Sequence, residues 1–114
     1  IAVADMVTEL GLDAVIATNT TISRDNLVTN AEVVNGLGAG GVSGAPLAAR
    51  SFEVLQLLSK HLRTANIISV GGVTTGDDVI ARLEAGATLV QGYTAFLYQG
   101  PFWAGRINAA LENR

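Results

Sequence analysis

The sequence predicts an α/β fold of about three βα units, arranged as a slice of a β/α (TIM) barrel, with residues 1–114 forming one stretch of a single barrel domain. Three observations predict it. Short apolar runs at 13–18, 66–70 and 87–92 are separated by segments with helical spacing. Runs that are apolar throughout mark strands of a parallel sheet covered by helices, and parallel strands need such crossovers. Each run also ends in glycine or small polar residues, and in a barrel the chemistry lies at the strand C-terminal ends. Three such units also fit a doubly wound sheet, but the polar and glycine residues after every strand favour the barrel.

The elements follow in order. Ala2, Val3, Met6, Val7 and Leu10 recur at helical spacing, and Gly11 stands where a left-handed C-cap belongs. Asp13 to Thr18 is the first strand, running into Asn19, Thr20 and Thr21. From Ile22 to Ala45 no period survives, which predicts a long Gly- and Asn-rich loop closing with the glycine-rich run Gly36–Gly44; a loop of that length is usually functional. Pro46 opens the next helix, with Leu47, Ser51, Val54, Leu55, Leu58 and Leu62 at spacings of three and four. Asn66–Val70 is the second strand, meeting Gly71-Gly72. Thr75 and Asp78 form a variant capping box for a helix whose apolar face is Val79, Ile80 and Leu83, and Gly86 ends it. Ala87 to Gly92 is the third strand, leading into Tyr93 and Thr94, and a last helix starts near Pro101 with Phe102 and Trp103 packing it down. One pattern repeats: Glu9-Leu10-Gly11 and Glu84-Ala85-Gly86 each precede a buried strand and then small polar residues.

Composition narrows the function. Hydrophobic residues make up 49% of the chain and charged residues 15%, so it folds rather than staying disordered. A net charge of −3, with Lys and Arg scattered singly, leaves no electrostatic footprint for nucleic acid. Without cysteine there are no disulfides or thiolate metal sites. No apolar run is long enough to span a bilayer, and no signal peptide is visible. The chain opens on Ile1-Ala2-Val3-Ala4 with a helical pattern already in progress, which reads as a cut and predicts that a site here is incomplete.

Candidate chemistry sits after the strands. Gly71 and Gly72 lack Cβ atoms, so their N–H groups can approach an anion, with the next helix adding its positive dipole end. Thr94 offers an N–H and a hydroxyl from the neighbouring strand end; the plainer reading of the glycine pair is a tight turn. Gly40 to Gly44 is a second candidate cradle, or else a flexible linker. Thr18, Asn19, Thr20 and Thr21 offer donors and acceptors for a small planar polar substrate, or satisfy backbone groups at a turn. His61, among Lys60 and Arg63 at a helix end, reads as a solvated cap, and Tyr98 as surface or core alike. No carboxylate pair, metal-ligand spacing or Ser-His-Asp arrangement can be drawn, so no catalytic residue and no metal site is assigned.

Four segments together carry a family resemblance: Ile16–Arg24, Gly40–Leu47, Ile68–Val73 and Ala85–Thr94. In order and spacing they are similar to the C-terminal third of class 2, quinone-dependent dihydroorotate dehydrogenases, and Gly100-Pro101 after an aromatic stretch matches as well. The resemblance implies strands six to eight of an eight-stranded β/α barrel that binds flavin mononucleotide (FMN). It implies that Thr18 contacts FMN and that Asn19 and Thr20 hydrogen-bond dihydroorotate or orotate. Ser43 and Gly44 would lie against the flavin and its phosphate tail, and Gly71, Gly72, Tyr93 and Thr94 would hold the phosphate. The family reaction oxidises dihydroorotate to orotate in pyrimidine synthesis, with a serine base, hydride transfer to flavin and reoxidation by quinone. By the same resemblance the base, and the helices that meet quinone and the membrane, lie upstream of these residues. The full-length protein would then sit peripherally on the cytoplasmic face of the cell membrane, while this portion alone would be soluble and inactive. Two other readings remain at this point: another phosphate-binding barrel, such as a sugar-phosphate isomerase or lyase, and a non-catalytic segment that self-associates. Three βα units cannot close a barrel, so open strand edges predict association with further copies or with the missing barrel portion.

Overall fold

The computed structural model describes residues 1–113. Three strands, β1 (Ala14–Ala17), β2 (Asn66–Val70) and β3 (Leu89–Gln91), form one parallel sheet in the order β1-β2-β3. The register pairs Val15 with Ile67 and Ala17 with Ser69 across the first ladder, and Ser69 with Val90 across the second. Strand side chains alternate between faces, so Val15, Ala17, Ile67, Ser69 and Val90 share one face, and Ile16, Ile68, Val70, Leu89 and Gln91 the other.

The helices are α1 (Ala2–Glu9), α2 (Ala31–Gly36), α3 (Ala48–His61), α4 (Gly76–Glu84), α5 (Thr94–Gln99) and α6 (Trp103–Glu112), with a 3-10 turn at Ala45–Leu47. The layers are one-sided. Ala4 and Val7 of α1 and Leu55 and Leu58 of α3 bury against Ile67, with Val15, Ala17 and Val90 packed on them. Val79 of α4 and Trp103 and Ile107 of α6 form a second cluster that shares Val90. Both clusters therefore cover the same sheet face. A doubly wound sheet carries helices on both faces, whereas a barrel wall carries them on its outside only. The opposite face stays open, with Ile16 61% and Leu89 59% exposed. The outline agrees with a wall: extents of 45 × 37 × 19 Å and a radius of gyration of 15.5 Å, against about 13 Å for a globule of this length.

Local chemistry explains the boundaries. Gly11 (φ +63°) and Gly86 (φ +108°) end α1 and α4 in the left-handed region, which accounts for the repeated Glu-x-Gly signal before β1 and β3. Thr75 caps α4: its hydroxyl accepts from the Asp78 N–H at 3.2 Å, while the Asp78 carboxylate accepts from the Thr75 and Thr74 N–H groups at 2.8 and 2.9 Å. Three expectations are corrected. The 22–45 stretch is not irregular throughout, because Asn30 caps α2 by accepting from the Glu32 N–H at 2.8 Å. A separate helix, α5, starts at Thr94 directly after the third strand, ahead of the one near Pro101. Trp103 is buried, but Phe102 is 76% exposed and packs nothing down.

Candidate functional site

The C-terminal ends of all three strands open onto one cavity of about 530 Å³. Thr18, Asn19 and Thr20 follow β1, Ser43 and Gly44 precede the 3-10 turn, Gly71 and Gly72 follow β2, and Tyr93 and Thr94 follow β3. All nine line the cavity. Its lining otherwise consists of apolar side chains, glycine backbone, Thr74, Tyr98 and Gln99. Among the described residues no charged side chain reaches it.

The loops are tied to one another at their bases. The Thr18 N–H and hydroxyl both donate to the Val70 carbonyl, at 2.8 and 3.3 Å, fixing the end of β1 to that of β2. The Asn19 carbonyl oxygen accepts from the Thr20 N–H at 2.8 Å, so half of that side chain does local work and its amide nitrogen is left to donate. Thr21 and Val42 form an antiparallel bridge with bonds of 3.0 and 2.7 Å, which closes the long loop at its neck. Arg24 donates to the Gly40 carbonyl at 2.5 Å across the same loop. At the far side the Thr94 hydroxyl donates to Ser43 Oγ at 2.9 Å. Gly44, at φ +83°, packs so closely that a Cβ there would lie 3.0 Å from Thr94 Cγ2. The loop before α3 and the start of α5 are thereby one surface.

Gly71 and Gly72 have positive φ, +121° and +72°. A Cβ on Gly72 would lie 2.5 Å from the backbone of Ala48, and one on Gly71 would lie 2.9 Å from Ser51 Cβ. The pair is thus both a turn and a point of close approach to α3. First-turn amides add donors: the first intrahelical bond of α5 runs from Leu97 N–H to the Tyr93 carbonyl, so the N–H groups of Thr94, Ala95 and Phe96 precede it.

Beneath the glycine pair lies a residue that sequence reasoning missed. Arg82 of α4 is 3% exposed. It donates to Ser69 Oγ at 2.7 Å, Ser51 Oγ at 2.8 Å, the Gly71 carbonyl at 2.7 Å and the Ala48 carbonyl at 3.4 Å. The Phe52 ring centroid is 6.0 Å from its guanidinium carbon. Burial holds the Arg82 pKa below its usual value and the Asp78 charge opposes this; guanidinium nonetheless stays protonated. For Asp78, burial pushes the pKa up, but the Thr75 and Thr74 bonds and the Arg82 charge outweigh it, and the net shift is down. A signal for Arg82 existed: it shares the apolar face of α4 with Val79, while Ser69 interrupts an apolar strand on its helix-covered side.

Other sequence candidates fall elsewhere. Gly40 and Gly41 do not face the cavity but line a separate depression with Arg24 and Val42, so only Ser43 and Gly44 of that proposed cradle reach it. His61 is exposed at the end of α3, its Nδ1 2.7 Å from the Leu57 carbonyl, as a cap would be. Tyr98 lines the cavity rim and is 87% exposed.

Backbone amides and hydroxyls gathered at adjacent strand ends are a common way for a β/α barrel to build its site. The fold thus defines a portion of a β/α barrel, with its candidate site at the strand C-terminal ends. Within that class the chain belongs to the dihydroorotate dehydrogenase family, whose model matches residues 1–114. It is 63% identical over 114 residues to a dihydroorotate dehydrogenase (quinone) of Kocuria rhizophila, covering 97% of this chain and 31% of that protein. It is 66% identical over 110 residues to one of Clavibacter sepedonicus, covering 96% and 32%. A ligand-free dihydroorotate dehydrogenase structure from Eimeria tenella superposes with a TM-score of 0.87 at 38% identity, covering 97% of this chain and 30% of that one. The chain spans about a third of the length of the curated relatives it matches. The sugar-phosphate isomerase alternative falls with this membership.

Proposed function

We propose that this segment is the flavin-phosphate and substrate-facing wall of an enzyme that oxidises dihydroorotate to orotate and passes the electrons to a quinone in pyrimidine synthesis. One observation carries the reading: the nine residues assigned by resemblance, drawn from four separate loops, line a single cavity. Similarity to proteins named dihydroorotate dehydrogenase (quinone) supports the choice of acceptor.

Each residue has a part in it. Gly72, Thr94 and the first turn of α5 offer N–H groups to a phosphate monoester, with Ser43, Gly44, Gly71 and Tyr93 shaping the same end of the cavity. Thr18 lies against the flavin, and Asn19 and Thr20 hydrogen-bond dihydroorotate, the Asn19 amide nitrogen as donor. FMN, when bound, supplies the acceptor for the hydride leaving dihydroorotate and the donor that reduces the quinone. The cavity wall contains no carboxylate, histidine, lysine or cysteine among the described residues. These residues therefore bind and orient, and the proton leaves to a serine base carried by the rest of the enzyme. Quinone and the cytoplasmic membrane surface are met there too; among the described residues no helix is long and apolar enough to cross a membrane.

The test uses the full-length protein. Its visible spectrum carries a bound-flavin band, dihydroorotate bleaches that band without oxygen, and a short-chain quinone restores it. A colourless protein, or a flavin band indifferent to dihydroorotate, refutes the proposal. The segment alone, with its open apolar sheet face, associates into dimers or larger species or pairs with the missing barrel portion. A folded monomer in light scattering would show that its edges need no partner.

A further inference from the structure

We infer that Arg82 is a positioning residue for phosphate binding, acting through the Gly71–Gly72 peptide from behind the cavity wall. The inference rests on the flavin-phosphate reading above and adds a residue that does not touch the cavity.

The geometry is that of one peptide plane. The Gly71–Gly72 peptide is trans, so the Gly71 carbonyl and the Gly72 N–H point in opposite directions. The carbonyl is turned away from the cavity into a buried cluster, where it accepts from Arg82 at 2.7 Å and from Ser51 Oγ at 2.6 Å. Ser51 is fully buried, Arg82 nearly so, and neither lines the cavity. With its carbonyl pinned from behind, the peptide holds the Gly72 N–H toward the cavity that Gly72 lines. Glycine at both positions makes the plane easy to flip, so something must hold it. The guanidinium also polarises the carbonyl it binds, which strengthens the N–H of the same peptide as a donor.

Charge points the same way. Arg82 is a buried cation whose hydrogen bonds go to carbonyls and hydroxyls; Asp78 feels its charge, but that carboxylate accepts from the N–H groups of Thr74 and Thr75. Among the described residues, the cavity in front of it has no charged lining of its own. A dianion at the Gly72 N–H would add a second counter-charge, on the other side of a single peptide. Uncharged ligands of the same shape would gain nothing from it.

FMN and riboflavin differ by the phosphate and separate this role from a structural one. Both are titrated by fluorescence quenching into the deflavinated full-length protein, in wild type, Arg82→Met and Arg82→Lys. The expected result is an FMN dissociation constant raised about tenfold or more in Arg82→Met, with riboflavin affinity unchanged. Arg82→Lys keeps the charge but not the fork of donors, and its preference for FMN falls between those of wild type and Arg82→Met. Equal weakening of both flavins, or an unchanged preference, overturns the inference. Should Arg82→Met fail to fold by circular dichroism, Arg82→Lys alone decides: a reduced FMN preference supports the role and an intact one refutes it. A wild-type protein that does not prefer FMN to riboflavin would instead sink the flavin-phosphate reading itself, and this inference with it.

Discussion

Replacing Gly72 by alanine is a direct test of how the strand end is built. At φ +72° a side chain enters the left-handed region, at a cost of about 1–2 kcal/mol. The new methyl would sit 2.5 Å from both N and Cα of Ala48 and 2.6 Å from its Cβ, where carbon contacts prefer about 3.5–4.0 Å. Those are backbone atoms of the first turn of α3, which cannot swing aside as the end of a long side chain would. The helix start must move outward by about 1 Å, at an overpacking cost of about 1–3 kcal/mol. Together the loss is about 2–5 kcal/mol, a large share of the roughly 5–15 kcal/mol that holds a domain folded.

The assay is urea unfolding of the full-length protein by far-ultraviolet circular dichroism, without added flavin. Gly105→Ala is the control. Gly105 lies inside α6, and a Cβ there meets nothing within 4 Å, so alanine should stabilise by about 0.5–1 kcal/mol through helix propensity. If Gly72→Ala lost less than about 1 kcal/mol, α3 would be yielding freely, and the claim that the glycine pair is needed for close packing would fail.

Three further outcomes follow from named contacts. Thr75→Ala removes the hydroxyl that accepts from the Asp78 N–H and should cost about 1 kcal/mol in the same unfolding experiment, with Thr75→Ser restoring most of it. Because the Asp78 pKa is lowered in the fold, its charged form stabilises the protein above the unfolded carboxylate value of about 4, and that contribution disappears as pH falls through the lower folded value. Asp78→Asn should therefore reduce stability at neutral pH and flatten the acid side of the stability profile; an identical profile would show that the carboxylate charge is not what caps α4. Asn19→Ala should raise KM for dihydroorotate about tenfold or more, as expected for a lost donor to a polar substrate, and leave flavin content per protein unchanged. Loss of flavin together with activity would place Asn19 in cofactor binding instead.

What was legible in the sequence depended on how local its cause was. Asn66–Val70 was read to both of its boundaries, because a short apolar run between a helix end and Gly-Gly fits a buried strand and little else. Gly11, Gly86 and the Thr75–Asp78 box were legible because each acts within one turn. The start of α5 was not: Ala95-Phe96-Leu97-Tyr98 offers no alternation of polar and apolar residues, and Leu97 and Tyr98 are mostly exposed here. Likewise α2 is a six-residue helix with no buried residue, so it leaves no hydrophobic period to read. The nine assigned residues share a cavity because the motifs that carry them all fall at strand ends or at the loop entering α3, whereas Gly40 and Gly41, in the same glycine run, line a separate depression. Arg82 escaped because its partners lie 11, 13, 31 and 34 positions away, on β2, after it, and on α3.

The two sides of the sheet differ in what this segment supplies by itself. On the helix-covered face, packing is self-sufficient: Ile67, Ser69 and Val90 are covered by α1, α3, α4 and α6, and Arg82 finds all its acceptors within the segment. The strand ends are consequently held from behind, by groups this chain already possesses. On the open face Ile16 and Leu89 remain exposed, and nothing among the described residues covers them. Barrel interiors are filled by side chains from alternate strands around the whole ring, so that face is completed only by residues outside this segment. On the proposed function, grip and chemistry separate along the same line: the amides offered to a phosphate rest on the finished outer layer, while the group that removes a proton comes from outside this segment.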